Sequence, residues 1–233
     1  MYYTSISMGW LNEDPSLEVG KVRSAAGKYA DFGDRLEAAV AAVRGTDPVL
    51  DSLIDRYGPC ALKPSRPQFS VIVESVVSQQ LSTRAARAIH RRLLEFVGRR
   101  APRASDIINV PDEALLSIGF SRSKTRYLKN AALAFQSRKY GPRALGRLSD
   151  DEVMSLLTAI QGIGEWSAHM FLIFALGRLD VFPVGDLGLR NAMAAAYSLR
   201  KPPSLRRLNQ IADRWRPYRT IGTWYLWESY DNG

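Results

Sequence analysis

Apolar residues recur at helical spacing along most of the chain, and polar caps and glycines punctuate them. Asp47-Pro48 reads as N-cap and first-turn proline of a helix running to Tyr57, with Gly58 as its stop. Gln68–Gln79 sets Phe69, Ile72, Val73, Val76 and Val77 at helical spacing, although its β-branched content also permits a strand. Ser82 is a natural N-cap for a helix ending at Val97 before Gly98. Further helices are expected over Pro111–Ile118, over Ser123–Arg138 with Tyr127, Leu128, Ala131 and Phe135 inward, and from the capping box Ser149–Glu152 to Ile160. Helices follow over Glu165–Leu176, Leu187–Leu199, Ser204–Trp215 and Thr220–Ser229. No run alternates apolar and polar residues for long, and an Asn-Gly turn stands only at the end of the sequence. The expected fold class is all-α.

Composition narrows the class. The 233 residues are 46% hydrophobic and 24% charged, which excludes a disordered tail, a collagen and a coiled-coil rod. A length of this order suits one large domain or two small ones. One cysteine, Cys60, builds neither an internal disulfide nor a Cys₄ metal site, and two histidines make a His-rich centre improbable. The apolar stretch Met170–Leu176 is too short to span a bilayer, and the first 20 residues lack the apolar core of a secretory signal. The sequence therefore reads as an intracellular protein without a membrane partner, cytoplasmic or nucleoid-associated, or nuclear in a eukaryote.

The net charge of +9 is uneven. Residues 1–60 hold nine acids and six bases, so the excess lies beyond them. Arg84–Arg103 has seven arginines and one acid, Arg122–Arg147 eight bases and no acid, and Arg200–Arg219 seven bases and one acid. Three such segments converging on one face would track a phosphate backbone; a merely solvated surface more often mixes both signs.

Chemistry concentrates around Gly162-Ile163-Gly164, where one capped helix gives way at once to another. Ile163 can tuck between the helices while the amides of Gly162, Gly164 and Glu165 point outward at a helix N-terminus, which suits an anion such as a DNA phosphate. A tight turn that only packs is the other reading. Downstream, Asp180-Val-Phe182 leads to Gly185-Asp186-Leu187 at the start of a further helix, where Asp186 is at least an N-cap.

The hairpin Gly162–Ala168 with Trp166, the run Asp180–Phe182 and the pair Asp186-Leu187 together resemble the helix-hairpin-helix (HhH-GPD) DNA glycosylase superfamily, in particular its 3-methyladenine DNA glycosylase II branch. The resemblance extends back to Val77–Ser82 and forward to Arg214–Arg219 and Trp227, covering roughly residues 45–230. It implies two helical lobes with the active-site cleft between them: about 66–184 with the hairpin, and 46–65 with 185–233, preceded by an N-terminal extension of residues 1–45.

The same resemblance implies the roles. Asp186 is the catalytic carboxylate, stabilising the positive charge that develops on deoxyribose and orienting the water. Asp180 is then structural. Bifunctional relatives carry a nucleophilic lysine two residues after the second hairpin glycine; here stands Trp166, which implies hydrolysis without lyase chemistry. Trp166, Met170 and Trp227 correspond to the base pocket, where flat apolar walls receive a flipped base and indole faces attract a cationic one. Met170 replaces a tyrosine of the bacterial prototype, and a stripe of Trp166, Met170 and Phe174 facing the core is the alternative. Trp215, Trp224 and Tyr225 read as core. Gln80 matches the residue that wedges into the gap left by the flipped nucleotide, or is a polar helix end; Ser82 and Arg84 would touch phosphates. No cofactor is implied beyond a structural Na⁺ or K⁺ held by the backbone carbonyls of Thr158, Ile160 and Ile163. The expected partner is duplex DNA with alkylated purines such as 3-methyladenine and 7-methylguanine, bound by a monomer. Hypoxanthine, ethenoadenine or oxidised guanine, and a hairpin module that only binds DNA, are the alternatives.

Overall fold

A computed structural model of the chain describes residues 26–64, 67–200 and 202–232, with side chains from residue 31. Among the described residues there is no strand. The helices are α1 (Ala26–Val43), α2 (Pro48–Tyr57), α3 (Phe69–Ser78), α4 (Thr83–Val97), α5 (Ala104–Ile108), α6 (Asp112–Ser117), α7 (Arg122–Phe135), α8 (Pro142–Leu145), α9 (Asp150–Thr158), α10 (Glu165–Phe174), α11 (Leu187–Ala196), α12 (Leu205–Ala212) and α13 (Arg219–Asp231). No helix among the described residues is long and apolar enough to cross a membrane.

The chain divides into two compact units, Pro64–Leu176 and the segments up to Lys63 and from Gly177 onward. In the first, α3 is buried along its whole length and packs on α4, α7 and α10. This settles the ambiguity of the Gln68–Gln79 run, since a short helix that is apolar on nearly every side belongs at the centre of a helical unit. Gln68 Nε2 donates to the Ala175 carbonyl at 3.2 Å, joining the start of α3 to the end of α10. Phe135 meets Phe69, Tyr140 and Phe171 at ring separations of 5.3, 5.2 and 5.9 Å. The capping box is present as expected: Ser149 N donates to Glu152 Oε2 at 2.7 Å and Glu152 N to Ser149 Oγ at 3.3 Å. α7 starts earlier than the sequence suggests, because Ser121 and not Ser123 caps it, its Oγ accepting from Lys124 N at 3.3 Å. Within α3 and α4, Glu74 and His90 are both buried, with His90 Nε2 3.7 Å from Glu74 Oε1. Burial pushes the Glu74 carboxyl well up and the His90 imidazole down to about 4, so the imidazole is neutral near pH 7 and the contact is not an ion pair.

The second unit is built on α13, which packs on α1, α2 and α11. Trp215 lies fully buried against it, with a ring atom 2.3 Å from where a Cβ on Gly222 would stand, so only glycine fits there. Asp47 caps α2 and accepts from the Tyr197 hydroxyl at 3.0 Å, while Tyr225 donates to the Gly58 carbonyl at 2.7 Å. Two expectations need correction. First, residues up to 45 are not all outside the core: Phe32, Leu36, Ala39 and Val43 are buried, and α1 packs on α13. Residues 1–25 lie outside the described residues. Second, the chain enters the second unit at Gly177, earlier than position 185. Thr220 Oγ1 accepts from Val181 N at 2.9 Å and donates to the Arg178 carbonyl at 2.9 Å, so the loop after α10 belongs with α13.

Candidate active site

In the first unit, α9 ends and α10 begins across the Gly162–Gly164 hairpin. Ile163 is buried, and its N–H donates to the Ile160 carbonyl at 3.0 Å. Gly162 has φ 98°, and a Cβ there would lie 2.1 Å from Cγ of Tyr127, so the Tyr127 ring sits directly on the hairpin backbone. The N-caps of α2, α4, α7, α9, α11 and α12 use side chains, whereas Gly164 offers none to α10. The first helical hydrogen bond of α10 runs from Ala168 N to the Gly164 carbonyl. The amides of Gly164 and Glu165 precede it and belong to the positive end of the helix dipole, which is the arrangement that receives an anion. The Glu165 side chain is exposed, so only its backbone serves that purpose.

Between α3 and α4, Gln80 is exposed in the left-handed region at φ 57°. Ser82 caps α4, its Oγ accepting from Ala85 N at 3.4 Å, and Arg84, Arg87 and Arg91 stand exposed along that helix. Sequence reasoning passed over Gln79, whose Nε2 donates to the Gly162 carbonyl at 3.0 Å, and Lys124, whose Nζ donates to the Val77 carbonyl at 2.6 Å. Burial pushes the Lys124 amine down to about 8. Trp166 is buried and Met170 fully so, with Phe174 1% exposed. Burial of all three is what a core-facing stripe of Trp166, Met170 and Phe174 requires.

In the second unit, Asp186 caps α11 and is 1% exposed. Its Oδ1 accepts from Leu189 N at 2.7 Å and from the Trp227 indole N–H at 3.1 Å. The Trp227 indole N–H thereby holds the carboxylate. No sequence signal pairs these residues, 41 positions apart. Asp180 takes the structural role expected of it, accepting from Arg219 Nε at 2.7 Å and Arg216 Nη1 at 3.2 Å.

These contacts also correct the charge argument. Arg216 and Arg219 pair with Asp180, Arg216 also with Asp213 at 2.9 Å, and Arg214 with Asp47 at 3.5 Å. Three of the seven bases of the Arg200–Arg219 segment are thereby tied to acids. In the Arg122–Arg147 segment, Lys129 donates to the Ile108 and Val110 carbonyls and serves α5. On α4, Arg91 pairs with Glu95 at 3.7 Å and Arg92 donates to the Ile118 carbonyl at 3.4 Å.

Residues 73–217 match the family described as HhH-GPD superfamily base excision DNA repair protein. Over 76% of its length the chain is 30% identical to the alkylbase DNA glycosidase-like protein mag2 of Schizosaccharomyces pombe, covering 85% of that protein. Over 77% it is 33% identical to DNA-3-methyladenine glycosylase 1 of the same yeast, covering 80%. A solved structure of S. pombe 3-methyladenine DNA glycosylase (Mag1) in complex with abasic DNA superposes with a TM-score of 0.74 at 32% identity, over 82% of this chain and 95% of that one. The chain belongs to the HhH-GPD superfamily of base excision DNA repair proteins.

Proposed function

We propose that the chain is a monofunctional DNA glycosylase that hydrolyses the N-glycosidic bond of alkylated purines in duplex DNA, acting as a monomer. The observation that carries this is the Asp186 carboxylate, held at the start of α11 by Leu189 N and the Trp227 indole. Cleavage leaves positive charge on the sugar, and a carboxylate fixed in advance stabilises that charge without reorganising. It also orients the water that attacks C1′. Trp166 supplies no amine where a lyase needs one, so no covalent sugar adduct forms there. The relatives named for 3-methyladenine support the substrate class.

In this reading the amides of Gly164 and Glu165 hold a phosphate, Arg84 and Ser82 meet the backbone beside it, and Gln80 fills the place of the extruded base. Thr158 is the last residue of α9, and Ile160 and Ile163 follow it into the hairpin. A negative helix end with carbonyl oxygens suits Na⁺ or K⁺. The Ile160 carbonyl already accepts from Ile163 N and has its second lone pair for such an ion.

The test is incubation with duplexes bearing defined lesions, followed by alkali, with Asp186→Asn as control. Alkali-dependent breaks at 3-methyladenine or 7-methylguanine are expected, and none with Asp186→Asn. Breaks without alkali refute the monofunctional reading. Cleavage confined to hypoxanthine, ethenoadenine or oxidised guanine refutes the alkylpurine assignment.

A further inference from the structure

Gln79 and Gln80 are neighbours in the α3–α4 turn, yet they do different things. Gln80 is exposed with φ 57°. Gln79 turns inward and donates from Nε2 to the Gly162 carbonyl at 3.0 Å, across 83 residues of sequence. A left-handed conformation at a residue with a Cβ persists only where its surroundings hold it. Here the turn is held on both sides: Lys124 Nζ grips the Val77 carbonyl at 2.6 Å before it, and Gln79 grips the hairpin. The hairpin is held by the same helix, α7. The Tyr127 ring lies on Gly162, and Asn130 Nδ2 donates to Gln161 Oε1 at 3.2 Å.

We propose that Gln79 is a positioning residue that locks the turn carrying Gln80 to the phosphate-binding hairpin, with α7 as their common brace. This rests on the glycosylase reading and deepens it. In a DNA duplex the gap left by an extruded base lies at a set distance from the phosphates of its own strand. A protein that fixes the spacing between its wedge and its phosphate grip in advance has less ordering to do at the moment of binding. The Gln79 amide fixes that spacing in the first unit. Gly162 thus has two functions: its shape admits Tyr127, and its carbonyl anchors the wedge turn.

The test uses the full chain and two duplexes, one undamaged and one with a tetrahydrofuran abasic analogue beside 2-aminopurine, whose fluorescence reports unstacking. Gln79→Met keeps the side-chain volume and removes the donor. It is expected to bind undamaged duplex as the wild type does, to lose about three- to tenfold affinity for the abasic duplex, and to lower the 2-aminopurine signal. The double variant Gln79→Met/Gln80→Ala is expected to bind no more weakly than Gln80→Ala alone, because a misplaced wedge and a missing wedge are equivalent. Independent, additive losses overturn the proposal. So does an equal loss on both duplexes with a lowered melting temperature, which marks a purely structural amide. Should Gln79→Met fold poorly by circular dichroism, Gln79→Ala carries the same comparison. A wild type with no preference for the abasic duplex refutes the glycosylase reading itself and the coupling with it, and shows this before any variant is made.

Discussion

The Trp227 indole N–H and the Leu189 backbone N–H converge on one oxygen of Asp186, at 3.1 and 2.7 Å. One bond belongs to the helix cap, and the other comes from a separate helix, so the carboxylate is fixed in two directions. Trp227→Phe keeps most of the apolar surface and removes the indole donor. A hydrogen bond to a charged group is worth on the order of 1.5–3 kcal/mol. The single-turnover rate on an alkylated duplex is expected to fall roughly tenfold to a hundredfold, with little change in duplex affinity. An unchanged rate, measured by quenched-flow or gel assay, refutes the orienting role.

Gly162 is a position where shape is required from two sides. Its φ of 98° disfavours any Cβ, and that Cβ would stand 2.1 Å from the Tyr127 ring. Gly162→Ala is expected to cost about 2–4 kcal/mol by urea unfolding, from backbone strain and overpacking together. Adding Tyr127→Ala removes the clash and leaves the strain, so the double variant is expected to lose less than the two single losses combined.

Glu74 and His90 make stability depend on pH in opposite senses. The folded chain protonates His90 only near 4, whereas the unfolded chain does so around 6.5, so falling pH between these values favours unfolding. Glu74 has its folded value raised, so its neutral form contributes fully below about 4.5 and that contribution is lost as pH rises through the folded value. Glu74→Gln is therefore expected to raise the melting temperature relative to wild type at pH 8, and the gain is expected to shrink toward pH 4.5. A difference independent of pH means that Glu74 does not titrate differently on folding.

Gln80 sets local stability against its proposed role. Glycine adopts its φ of 57° without the Cβ penalty, which is about 1 kcal/mol for other residues. Gln80→Gly is expected to be equal to or slightly more stable than wild type on thermal melting, and weaker on an abasic duplex. A variant that binds the abasic duplex as tightly as wild type shows that the Gln80 side chain does not enter the stack.

Local chemistry was legible in the sequence wherever it decided the outcome. Asp47, Ser82 and Ser149 announce α2, α4 and α9 because a cap is a contact between residues two or three apart. The helices α5 and α8 escaped because five and four residues are too short to show a period. No cap or first-turn proline marks the start of α1, although Phe32, Leu36, Ala39 and Val43 stand at helical spacing. At the site, the Gly-Asp setting marked Asp186 as an N-cap, and the resemblance to the glycosylase superfamily implied its catalytic role. The partners of Asp186 and of Gly162 were not legible, since Trp227 and Gln79 reach them from distant helices and either tryptophan or glutamine has an ordinary reading at its own position.

The bonds from Tyr197 to Asp47 and from Tyr225 to Gly58 join parts of the chain that the ribosome makes far apart in time. Residues 64–176 form an uninterrupted stretch and can begin to fold while synthesis continues. The helix α2 has to wait for α11 and α13 before its cap and its end find their partners, and those late helices are also the ones that carry Asp186 and Trp227. A nascent chain halted before α13 has the hairpin but lacks the Trp227 bond to Asp186, so on the proposed reading nucleic-acid affinity would arise before base removal.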